Sequence, residues 1–122
     1  AVLATTVALP ALAGLDILRE THDGILYIDR GSVEKSGNVQ RVMSTQDFHR
    51  LQRLNEHEYL SAKAWYEVDC AGKKIRQVSL EIFPENMAMG GAMHSEANAQ
   101  AWLEPSEATQ HGAVWKGLCA QP

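Results

Sequence analysis

The sequence predicts an α+β protein: a single antiparallel β-sheet of about five or six strands with a C-terminal α-helix packed on one face. Three observations predict it. Residues alternate from Ala62 to Cys70, with Ala62, Ala64, Tyr66, Val68 and Cys70 on one side and Lys63, Trp65, Glu67 and Asp69 on the other. That period belongs to a strand buried on one face, because successive side chains point to opposite sides of a pleated sheet. Turn signals at Asp23-Gly24 and Ala71-Gly72 separate runs of β-forming residues. Near the C-terminus, Ala108, Gly112, Trp115, Leu118 and Cys119 lie at helical spacing.

The elements follow in chain order. Leu15 to Arg19 and Ile25 to Ile28 are apolar stretches joined by His22-Asp23-Gly24, a hairpin signal. Asp29 to Gly37 is polar and reads as a loop carrying at most one helical turn. Asn38 to Thr45, with Val39, Val42 and Met43, supplies the third strand. From Ser44 to Tyr59 the pattern divides. Ser44-Thr45-Gln46-Asp47 resembles a capping box and Phe48, Leu51 and Leu54 recur at threes, so a short helix or a connecting loop is expected. The hairpin from Tyr59 to Phe83 is the hub. Glycine at its turn tolerates positive φ, and Ile75 is out of phase with Val78, Leu80 and Ile82, which predicts a bulge near Arg76-Gln77. Pro84 ends the hairpin, Met87 to Gly91 is a flexible turn, and Ala92 to Glu96 is a last short strand. After a connector containing Trp102, Pro105 opens the C-terminal helix, which packs Trp115 on the sheet.

At 122 residues and 45% hydrophobic, the chain suits one domain. A net charge of −4 gives no basis for nucleic acid or an anionic membrane as partner. The uncharged stretch AVLATTVALPALAG ends in Ala11-Leu12-Ala13, small residues at the positions signal peptidase reads. Residues 1–13 are therefore expected to be a signal-peptide remnant or an N-terminal extension, and 14–122 a single domain. The stretch is too short to span a bilayer. No cysteine follows it, so no lipid anchor is expected. Cys70 and Cys119 fit one disulfide in an oxidising compartment, worth about 4 kcal/mol for a loop of roughly 50 residues. Two buried free thiols are the cytosolic alternative. The signal-like N-terminus favours the disulfide.

Candidate chemistry is sparse. Met87, Met89, Met93 and His94 offer thioether and imidazole ligands that suit Cu(I), against a plainer role as gap-filling residues. His49, Glu56, His57 and Glu58 are better read as a solvated connector, since the spacing matches no metal motif. His22 and His111 stand alone. No nucleophile sits in a recognisable setting and no phosphate loop exists, so neither catalysis nor a cofactor is expected. Trp65, between Lys63 and Glu67, stands on the polar side of the central strand. Either a second layer covers that side or it is a contact surface.

Several stretches together resemble the surface-adhesin protein E family of bacterial envelope proteins: DGILYID at Asp23–Asp29, GNV at Gly37–Val39, Thr45-x-Asp47-Phe48, SAKAWYEVDC at Ser61–Cys70, RQVSL at Arg76–Leu80, and Trp102-x-x-Pro105-Ser106 through Cys119. The block SAK-x-x-YE-x-DC with a second cysteine near the C-terminus is the most specific. The resemblance implies an antiparallel sheet crossed by a C-terminal helix, a disulfide joining strand to helix, and export to the periplasm or cell surface. It also implies a binding protein with a protein partner, and the open edges of such a sheet add homodimer formation to the expectation.

Overall fold

The computed structural model describes residues 14–120, so the expected signal-peptide remnant at 1–13 lies outside the described residues. Six strands form one antiparallel meander in chain order: β1 (Leu15–Thr21), β2 (Gly24–Ser36), β3 (Val39–Leu54), β4 (His57–Asp69), β5 (Lys74–Phe83) and β6 (His94–Glu96). Among the described residues there is one α-helix, α1 (Gln110–Cys119), and one short 3₁₀ turn, Asn86–Ala88, between β5 and β6. The predicted architecture is the observed one.

Period two sorts the core. Leu26, Ile28, Val42, Tyr66, Val68 and Ile75 are buried on one face and meet Val114 and Leu118 of α1. The helix starts later than expected, at Gln110, because Thr109 caps it: the Gly112 N–H donates to the Thr109 hydroxyl at 3.1 Å. Pro105 belongs to the preceding connector. Gly112 is required by proximity, since a Cβ there would fall 1.8 Å from the Ser106 carbonyl oxygen. Val114 and Leu118 supply the buried contact, while Trp115 sits at the flank and donates its indole N–H to the Asp69 carbonyl at 3.1 Å. The Cys70–Cys119 disulfide, with Cα atoms 5.4 Å apart, ties the end of the helix to the end of β4.

Two expectations fail, for one reason. Asp29–Ser36 is not a loop but the second half of β2, with only Gly37 in the turn, and 44–58 is the continuation of β3 to Leu54, a two-residue turn and the start of β4. Each stretch contains a wide bulge. Between the pairs Asp29↔Met43 and Glu34↔Arg41, β2 advances farther than β3, and the Ser32 hydroxyl takes the place of a ladder acceptor for the Met43 N–H at 2.9 Å. Between Asp47↔Ser61 and Gln52↔Tyr59, β3 advances farther than β4, which breaks the alternation that would have marked a strand. Phe48 meets Tyr59 edge-on at 5.8 Å, whereas Leu51, its partner in the helical reading, is exposed.

The bulge of β5 falls at Val78, between the pairs Trp65↔Ser79 and Tyr66↔Gln77, next to its expected place. At the β4–β5 turn the positive φ belongs to Lys73 (51°) rather than to Gly72. A Cβ at Gly72 would lie 2.6 Å from the Asp69 carboxylate, which accepts the Gly72 N–H at 2.8 Å, so a side chain there would displace that carboxylate.

The two sheet edges differ. The outer edge of β5 is occupied by the chain after it, through β6 and then through the Gln100 N–H to the Gln77 carbonyl (2.9 Å) and paired bonds between Ile75 and Leu103. Strand β1 forms the other edge and has no outer strand partner among the described residues.

Candidate functional site

The face opposite α1 carries the residues singled out from the sequence; among the described residues no α-helix or second sheet lies over it, and the short 3₁₀ turn Asn86–Ala88 covers only one end. Register places its side chains in rows. Arg41, Glu67 and Arg76 are aligned across β3, β4 and β5, and one step along the strands Met43, Trp65 and Ser79 are aligned. Lys63 lies between Thr45 and Glu81 in the next row.

Charge and π-systems bind these rows together. The Arg41 guanidinium lies over the Trp65 ring, 4.9 Å from its centroid. Arg76 lies 4.5 Å from the centroid of Trp102 and makes a close pair with Glu67, its Nη2 2.7 Å and its Nε 2.8 Å from Oε1. Glu67 pairs across the sheet rather than with Lys63 on its own strand, because Arg76 is directly opposite while Trp65 stands between Glu67 and Lys63. Lys63, Trp65 and Glu67 are all half-buried. The surface is an ordered array of two arginine–tryptophan stacks, with the Glu67 carboxylate paired to the arginine of one of them.

Arg41, Arg76 and Trp102 were not singled out from the sequence. The signal for Arg76 was present: a turn centred on Ala71-Gly72 pairs Glu67 with Arg76 by register alone. Trp102 had no such signal, because its position depends on the connector running back along β5.

At its upper end this face is capped by the loop that follows β5. Asp47 Oδ1 accepts the Met87 N–H (2.7 Å) and the Asn86 amide (3.0 Å), and the Ser61 hydroxyl accepts the Ala88 N–H (2.8 Å). These bonds hold Met87 and Ala88 at φ of 55° and 59°, a left-handed conformation costing about 1–2 kcal/mol per residue. The expected flexible turn is a pinned one.

The pinned loop also disposes of its methionines. Met87 and Met93 are half-buried, Met89 is 61% exposed, and His94 Nε2 lies 2.9 Å from a Glu96 carboxylate oxygen. The two candidate metal stretches meet at one point, where His57 and His94 stack with ring centroids 5.7 Å apart. No group of three or more His, Cys, Asp or Glu side chains among the described residues is arranged to hold a metal ion. His49 lies elsewhere, its Nδ1 3.2 Å from the His22 carbonyl oxygen, and Glu56 and Glu58 are exposed. His111, on α1, packs edge-on against Tyr66 at 5.2 Å, and burial pushes its pKa down. Burial likewise pushes the Tyr66 hydroxyl up to about 12.

Comparison with known proteins follows the fold. The model of the family described as surface-adhesin protein E matches residues 15–120. No curated protein matches the chain. Crystal form II of Haemophilus influenzae protein E is similar in structure, with a TM-score of 0.70 at 16% identity over 96% of this chain and 97% of that one. The selenomethionine form of the same protein gives a TM-score of 0.65 at 15% identity, over 89% and 88%. Protein E from non-typeable Haemophilus influenzae gives 0.59 at 15% identity, over 96% and 80%. At such identity the likeness is one of fold.

Proposed function

Starting from the premise that the chain belongs to the surface-adhesin protein E family, we propose that it is an exported, surface-associated binding protein. It acts by contact rather than catalysis, and its contact surface is the sheet face bearing Lys63, Trp65 and Glu67. One observation carries this reading: the Arg41–Trp65 stack stands on a sheet face with no second layer among the described residues. Tryptophan and arginine are the side chains most enriched at the energetic centres of protein interfaces. Arg76 is engaged by Glu67, whereas Arg41 has no carboxylate within 4 Å among the described residues. Its planar fork remains available for a carboxylate of a protein partner.

Self-association belongs to the same proposal. The β5 edge is occupied, so a homodimer would use the β1 edge or the open face. Sedimentation of the wild type and of Trp65→Ala tests this, with loss of the dimer in the variant assigning it to the face.

The decisive experiment for the main reading is affinity capture from envelope and host-matrix extracts. A protein retained by the wild type and lost with Trp65→Ala or Arg41→Gln supports it. Equal capture by wild type and both variants, or no capture at all, contradicts it.

A further inference from the structure

Helix α1 covers only part of its own face. It begins at Gln110, and beyond that end the row Arg19, Leu26 and Gln46, together with Phe48, lines a cavity of about 360 Å³. That is within the size range of small-molecule sites, roughly 300–1,000 Å³. Its floor is apolar: Leu26 is buried and Phe48 half-buried, held edge-on by Tyr59.

Two donors at this cavity are poorly used. Both terminal nitrogens of Arg19 share a single acceptor, the Ala108 carbonyl oxygen, at 3.4 Å each, and no carboxylate lies within 4 Å of the guanidinium among the described residues. Gln110 lines the same cavity, and its amide nitrogen is buried without a hydrogen-bond partner. A half-buried guanidinium with one long contact and an unpaired amide donor both gain from an anionic oxygen. The rim limits how much charge is welcome. Asp23 lines the cavity beside His22, and so a dianion meets repulsion that a monoanion meets less.

We propose that this cavity binds a small organic monocarboxylate, its apolar body on Leu26 and Phe48 and its carboxylate on Arg19 and on the Gln110 amide, whose enclosed nitrogen turns outward to reach it. The site lies on the helix side of the sheet, away from Arg41, Trp65 and Glu67 on the opposite face.

The test is an amide-resolved NMR titration of the chain with phenylacetate, with phenylacetamide as neutral isostere and inorganic phosphate as dianion. Saturable shifts around Arg19, Gln46 and Gln110 are expected below roughly 10 mM phenylacetate. Binding is expected to weaken about tenfold or more for phenylacetamide and for Arg19→Gln, through loss of one charge-assisted hydrogen bond. Gln110→Leu is the second variant and should weaken binding while leaving the fold intact, so it decides the matter if Arg19→Gln does not fold. Trp65→Ala should bind phenylacetate as the wild type does. Absence of saturation, equal binding of phenylacetamide, stronger binding of phosphate, or no effect of Gln110→Leu would overturn the proposal.

Discussion

The two faces of the sheet are made by the same strands and yet differ in burial and in the contacts they make. On the helix side, Ile28, Val42, Val68, Ile75 and Val114 are fully buried, and the Cys70–Cys119 disulfide seals the layer. On the open side no residue of the Arg41, Trp65, Glu67, Arg76 and Trp102 array is fully buried, and its contacts are ion pairs and cation–π stacks. Exposed contacts of that kind stabilise weakly, because water competes for the charges. The difference teaches that stability resides on one side of β4, while the side proposed for recognition carries charged and aromatic groups, one residue apart along the strand.

Ile28→Ala is expected to have the largest effect. It removes a fully buried side chain under the helix and should cost about 2–5 kcal/mol in denaturant unfolding. Replacing Cys70 and Cys119 together by Ser should cost about 2–5 kcal/mol in the same assay, with the helix the first element to lose hydrogen-exchange protection. Either loss falling near zero would break the assignment of stability to this face.

An intermediate effect comes from pH. His111 is held below its ordinary pKa of 6.5 by burial against Tyr66, so the unfolded chain binds more protons between the two values. Stability should therefore be fully present above pH 6.5 and decline as pH falls through the lowered value in the fold. His111→Phe should flatten that decline when melting temperature is followed against pH. An unchanged slope would remove His111 as its source.

The smallest effect on stability belongs to the open face. Arg41→Gln should change unfolding free energy by no more than about 1 kcal/mol, the value of an exposed cation–π contact. A larger loss would make the stack a structural element and blur the contrast.

The same contrast explains what the sequence could reveal. The Ala62–Cys70 alternation and the Asp23-Gly24 hairpin rest on local rules, the cysteine pairing on there being two cysteines and an oxidising compartment, and each survives in the structure. The long arms of β2 and β3 were hidden because their wide bulges interrupt period two, and because Phe48, Leu51 and Leu54 happen to recur at threes. On the open face, Trp65 was legible from its place in the alternation. Arg41 and Trp102 were not, since cross-strand register and the return of the connector along β5 bring them there. Side-chain partners across a sheet depend on register, which bulges shift.

The most direct test of the account is capture of a partner from envelope and host-matrix extracts by Trp65→Ala, with its melting temperature followed alongside that of the wild type. The account predicts that a partner retained by the wild type is lost by the variant while the disulfide and the core unfold as before. Retention of the same partner by a folded Trp65→Ala protein would contradict it.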